Sequence, residues 1–424
     1  TTEKGLEYDF VIRPGADPDM IQLRFKDYEE LRVDADSTIL PGTRIGRFPE
    51  ERPVSFQNGK TVDSRFVLDG DRLSFALGDY DRSQPLTIDP ARIWGTFYGG
   101  PDWDIGRSSA VDGSGNVYLA GQTSSVSAIA SGGYQNTYGG GNIDAFLVKF
   151  DANGIRQWAT YYGGSDLDDG RACAVDSSGN VYIAGDTESS FSIASGGHQN
   201  TYGGGSLDAF LVKFNASGLR QWGTYYGGTG PDTGNSCVVD GSGNVYLAGS
   251  TSSDTAIASA GHQNANGGDG EAFLAKFNPN GVRQWATYYG GMSGEAGYSS
   301  AADGSGNVYL AGLTGSDNAI ASDGHQSTYG GGTWDAFLVK FNDSGIRQWA
   351  TYYGGAGWDQ GTSCTVDGNG NVYLAGLTGS DTAIASGGHQ NIYGGGMYDA
   401  FLVKFNTNGI RQWGTYYGGT SDNY

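Results

Sequence analysis

Residues 208–228 read D-A-F-L-V-K-F-N-A-S-G-L-R-Q-W-G-T-Y-Y-G-G, and near-copies of this string end at 164, 291, 355 and 419. An apolar run, an N-x-x-G turn and a second aromatic run predict a β-hairpin. Upstream of it, 175–185 (V-D-S-S-G-N-V-Y-I-A-G) repeats a turn and a further strand in every copy. Trp94, Trp158, Trp222, Trp285, Trp349 and Trp413 mark the period, 63 or 64 residues. In the second copy, strands are expected at about 171–175, 181–185, 208–214 and 219–226, with a glycine-rich excursion over 186–207. Four antiparallel strands per copy, with no helical pattern between copies, predict an all-β chain built as a β-propeller of four-stranded blades. The repeats fall at about 94–157, 158–221, 222–284, 285–348 and 349–412, with a partial copy at 413–424.

Residues 1–90 do not repeat. Short alternating runs such as 8–12 and 64–68, separated by Pro14-Gly15 and Asp69-Gly70, predict a small antiparallel β domain ahead of a propeller at 91–424. Residues 93–98 read as a fourth strand with no three strands before it, so one strand is surplus. Five blades closing a ring is the favoured reading. A six-bladed ring completed by strands beyond this sequence, or a spare strand pairing with another molecule's sheet edge, are the alternatives.

The chain of 424 residues carries 74 Gly, 27 Tyr and a net charge of −21. Residues 1–92 hold 18 acidic and 13 basic side chains, and the other 28 and 12 leave −16 on the repeats. Such an acidic surface argues against nucleic-acid binding. No stretch approaches the roughly 18 apolar residues of a membrane span. The start at Thr1, without Met or a leader, is expected of a mature or trimmed form. Cys173, Cys237 and Cys364 share one repeat position with Ser109 and Ser300, which predicts small buried side chains and not disulfides.

The string D-x-x-G-N-V-Y-x-A-G, the insert Q-x-x-Y-G-G-G, then D-A-F-L-V-K-F-N and W-x-T-Y-Y-G-G over 93–424 resemble the bacterial SBBP β-propeller repeat family. The segment 78–90 resembles the end of the N-terminal domain often placed before such repeats, so the chain is expected to keep only the C-terminal part of it. The resemblance implies a secreted or cell-surface location and supplies no catalytic motif.

A residue present in every repeat serves the architecture before it serves chemistry, so each candidate site competes with a plainer role. The Trp residues are expected to pack between blades, and Lys149, Lys213, Lys276, Lys340 and Lys404 to be solvated or to pair with Asp144 and its equivalents. The D-x-x-G-N turn at 112–116 and its copies reads as a β-turn. Asp166, Asp168 and Asp169 are candidate Ca²⁺ ligands, because Ca²⁺ takes carboxylate oxygens. No cofactor is otherwise required.

The inserts mix aromatic and amide side chains, the combination that recognises sugars. They offer Tyr134 and Gln135; His198, Gln199 and Tyr202; His262 and Gln263; His325, Gln326 and Tyr329; and His389, Gln390 and Tyr393. The expected function is a non-catalytic structural or interaction module, a unit of a surface assembly, fibre or adhesin, partnered by other surface proteins or by copies of itself. The alternative is a multivalent carbohydrate-binding propeller that binds glycans through these inserts.

Overall fold

The computed structural model describes residues 10–24, 30–33, 39–43, 46–47, 52–89 and 96–421. It divides into two compact units, 1–96 and 97–424. In the first, Phe10–Ile12, Leu86–Asp89, Val54–Gln57 and Lys60–Val62 form one sheet, in that order. Leu23–Arg24, Arg72–Leu77 and Ser64–Asp69 form a second, and Glu30–Val33, Ile39–Thr43 and Gly46–Arg47 a third, with Glu30–Val33 at an edge. Ile12, Ile39, Phe66, Leu73, Phe75, Leu86 and Ile88 are its buried core.

The second unit is five four-stranded antiparallel sheets, each with its strands in chain order. Blade one is Asp104–Val111, Val117–Thr123, Asp144–Phe150 and Arg156–Tyr162; blade two is Asp168–Val175, Val181–Thr187, Asp208–Phe214 and Arg220–Tyr226. Blades three to five begin at Asp232, Glu295 and Asp359 and end at Tyr289, Tyr353 and Tyr417. The first strand starts three residues before the sequence pattern suggests, because its opening acidic residue already pairs with the threonine closing the second strand.

Strand alternation gives each blade two apolar faces, and each is buried against a different neighbour. Tyr118, Ala120, Leu147, Trp158 and Tyr162 of blade one meet Cys173, Ile183, Phe210, Val212 and Phe214 of blade two. The same pairing joins blade two to three, three to four, and four to five. Each interface is tied by one indole: Trp158 Nε1 donates to Ala216 O at 3.0 Å, Trp222 to Pro279 O at 3.0 Å, Trp285 to Asp343 O at 2.8 Å and Trp349 to Thr407 O at 2.9 Å. Cys173, Cys237 and Cys364 are buried free thiols. Lys213 and Lys276 are not solvated: both are buried, with Nζ 5.3 and 5.5 Å from the Tyr182 and Tyr246 ring centroids, because the next blade covers them.

Five repeats make five blades. No comparable packing joins the fifth blade to the first among the described residues. Leu402 and Tyr417 of blade five are 38% and 73% exposed, whereas Leu338 and Tyr353, their counterparts in blade four, are at 0% and 1%. The five blades are thus arrayed about one axis, with the outer face of blade five uncovered among the described residues. Trp94 and residues 93–95 of the surplus strand lie outside the described residues, and 96–100 are not in strand. Tyr98 nevertheless sits on blade one as Tyr162 sits on blade two. Its ring lies 5.4 Å from Phe146 and 5.8 Å from Phe150, and its hydroxyl donates to Ile129 O at 2.7 Å.

Candidate functional site

The inserts fold back over the fourth strand of their own blade, with isolated bridges such as Gln135 to Tyr161 and Gln199 to Tyr225. The glutamine holds the bend. Gln199 Nε2 donates to Thr201 O at 3.0 Å, its backbone N to Thr224 Oγ1 at 2.8 Å, and its Oε1 accepts from Gly227 N at 3.3 Å. Gln135, Gln263, Gln326 and Gln390 repeat these bonds. The aromatic of each of the first four inserts lies against the next blade: Tyr134 6.4 Å from Phe214, His198 6.3 Å from Phe277, His262 6.2 Å from Phe341 and His325 6.4 Å from Phe405. Partial desolvation and a neighbouring arginine hold His198, His262 and His325 below the ordinary imidazole value. His198, His262, His325 and His389 are all exposed. Tyr202, Tyr329 and Tyr393 stand edge-on to Tyr225, Tyr352 and Tyr416 of their own fourth strands.

The four histidines thus fall one on each of blades two to five. One insert borders an open cleft of about 630 Å³, where His325, Gln326 and Tyr329 of blade four face Thr382, Ala383 and Arg411 of blade five.

Asp166, Asp168 and Asp169 do not converge. Asp168 accepts from Thr187 Oγ1, from Gly164 N at 2.8 Å and from Ser189 Oγ at 3.0 Å, and burial pushes its carboxyl up to about 6. Asp169 pairs with Arg171 at 3.5 Å and Arg107 at 3.9 Å, while Asp166 accepts from Ser165 Oγ at 3.0 Å. No group of three or more metal-ligating side chains forms among the described residues. In the 112–116 turn, Asp112 accepts from Ser114 N, Asn116 N, Asn116 Nδ2 and Tyr118 OH at 2.8–3.1 Å, so its oxygens serve the turn.

A different site lies where the first strands of all five blades converge, a pocket of about 300 Å³ lined by Arg107, Arg171, Asn235, Tyr298, Gln360 and Thr362. Each first strand carries a β-bulge after its glycine. The residue skipped by the register is Arg107, Arg171, Asn235, Tyr298 or Thr362 in turn. A bulge leaves one residue outside the ladder and re-aims its side chain. Asp169 and Asp186 stand behind the lining, with side chains 7% and 2% exposed, and Arg171 pairs with both. With its amide oriented to match the Asp169 carboxylate, Gln122 Nε2 donates to Asp169 Oδ2 at 2.9 Å. Burial pushes both carboxyls up, and the arginines oppose it. Asn235 Nδ2 donates to Gly297 O of the next blade at 2.9 Å.

Sequence reasoning missed these residues because it weighed positions that recur. The signal is the reverse: in copies that otherwise agree, the bulge residue, the one two before it and the one before the second-strand threonine (Gln122, Asp186, Ser250, Leu313, Leu377) differ from blade to blade.

An N-terminal β domain followed by serial four-stranded blades defines a multi-blade β-propeller protein. The chain carries an SBBP-type region, matched as "Beta-propeller repeat" at 157–192, 221–254 and 348–381, behind a "Domain of unknown function (DUF7948)" at 1–91. It is 26% identical over 342 residues to the regulatory protein FlaEY of Caulobacter vibrioides, covering 74% of this chain and 34% of that protein. It is 23% identical over 331 residues to a WD repeat-containing protein of Acanthamoeba polyphaga mimivirus, covering 64% and 24%. The chain therefore spans about a third and a quarter of these relatives. Solved structures similar to it include a Xanthomonas campestris gluconolactonase (TM-score 0.34, 11% identity, 77% of this chain and 81% of that one) and the NanB sialidase of Streptococcus pneumoniae (TM-score 0.41, 9% identity, 92% and 75%). Neither lends its activity to this chain.

Proposed function

We propose that the chain is a non-catalytic interaction module of a secreted or cell-surface bacterial protein, and that it associates with a second copy through the open face of blade five. The observation that carries this reading is the exposure of Leu402 and Tyr417 on a face whose counterparts in the other blades are covered. Burying such an apolar face stabilises by about 25 cal/mol per Å². A face of this kind, used by one copy on another, builds serial assemblies. The location rests on the resemblance to SBBP repeats and on the net charge of −21. No cofactor is needed for this role.

Light scattering against concentration tests it. The parent is expected to gain mass as concentration rises, and the double variant Leu402→Asp, Tyr417→Asp to stay monomeric with an unchanged melt. A parent that remains monomeric up to its solubility limit defeats the proposal.

A second reading, glycan binding through the inserts, is favoured at one place by the cleft beside His325, Gln326, Tyr329 and Arg411. Saturable binding on a glycan array, lost in Tyr329→Ala, supports it. An array without hits removes it.

A further inference from the structure

The pocket at the convergence of the first strands is the part of the second unit that the repeat pattern does not explain. Uniform copies would give a ring of five like residues, and a packing role would favour that uniformity. Instead five bulges present two guanidiniums, an amide, a phenol and a hydroxyl, and Gln360 adds a second amide. The lining holds two cations and no carboxylate, on a chain whose net charge is −21. The balancing Asp169 and Asp186 are set back and buried. They fix Arg171 in place, and each guanidinium has five N–H donors, more than those contacts use.

A cavity of about 300 Å³ is at the small end of ligand pockets, which run from about 300 to 1,000 Å³. Planar guanidinium forks match a carboxylate. The amides and Thr362 match hydroxyls, and the Tyr298 ring matches a C–H face.

We propose that this pocket binds a small hydroxylated carboxylate of the sugar-acid class, with Arg107 and Arg171 on the carboxylate and Asn235, Gln360 and Thr362 on the hydroxyls. The site is separate from the cleft at His325 and from the open face of blade five.

Isothermal titration of the full chain with galacturonate, galactose and inorganic phosphate tests the assignment. Galacturonate is expected to bind saturably at one site, and galactose and phosphate at least about tenfold more weakly. Arg107→Gln is expected to abolish galacturonate binding with an unchanged melt, Thr362→Val to weaken it, and His325→Ala to leave it intact. Absence of galacturonate binding overturns the proposal, as does equal affinity for phosphate or for galactose. Binding that survives Arg107→Gln but is lost in His325→Ala also overturns it, while leaving the insert reading standing.

Discussion

Gly281 has a φ of +77°, and a Cβ there would lie 2.7 Å from the Trp222 ring. The tryptophan of one blade is thus seated on the N-x-x-G turn of the next, and Gly218, Gly345 and Gly409 repeat the seat for Trp158, Trp285 and Trp349. Emptying it removes the largest side chain of the interface and leaves Pro279 O without its indole donor. Trp222→Ala is expected to cost about 3–5 kcal/mol in urea unfolding. A midpoint equal to the parent's would show that the indole does not hold the blades together.

A second residue-scale feature recurs beside the glycines that follow the Tyr-Tyr pairs. A Cβ on Gly227 would lie 2.5 Å from Asp208 Oδ1 and 2.6 Å from Asp232 Oδ2, so two buried carboxyls flank it. Burial, opposed by the Gly203 N–H and assisted by Asp232, pushes Asp208 up to about 7. Asp144 and Asp335 reach about 7 and Glu271 about 8 for the same reason. A carboxyl raised in the folded state contributes stability that is complete below the unfolded value, near 4, and is lost as pH rises through the folded value. Asn at 208 keeps the shape and never ionises. The melting temperature of Asp208→Asn, relative to the parent, is therefore expected to rise between pH 5 and pH 8. A pH-independent difference would mean that Asp208 holds no proton.

At the scale of elements, the bulge of each first strand and the A-G glycine of the second strand are one device. A Cβ on Gly249 would lie 1.8 Å from Thr233 O, so the bulge closes only over glycine. Gly249→Ala is expected to cost at least about 1–3 kcal/mol in urea unfolding. A neutral outcome would place the bulge elsewhere. The strands were legible because V-Y-L-A and F-L-V-K-F are short apolar runs between glycine turns, and the match at 208–214 is complete. The bulges were not, since one extra residue leaves no periodic trace. Nor was the covering role of the inserts, whose single bridges depend on the Gln199 amide and not on a strand pattern. The Lys213 position alternates outward by pattern, and only the presence of a next blade turns that side inward.

For the whole molecule, the repeat count was readable and the closure was not, because repeat text is the same whether a blade has two neighbours or one. Burial distinguishes them: Trp222 is 4% exposed, while Trp413 is only half-buried. The acidic links follow a similar logic. Asp168 is committed to Thr187, Gly164 and Ser189, and Asp169 to arginines. Neither Ca²⁺ nor EDTA is expected to move the melting temperature of the intact chain; a rise in Ca²⁺ would assign those carboxylates to a metal.

Because the bulge residue stands outside the hydrogen-bond ladder, interblade packing and axial chemistry are written in separate letters. Swapping the order of two blades would keep the indole seats between them while rearranging the guanidiniums, amide and phenol about the axis. A small set of interchangeable units can thus spell many different binding surfaces on one unchanged frame.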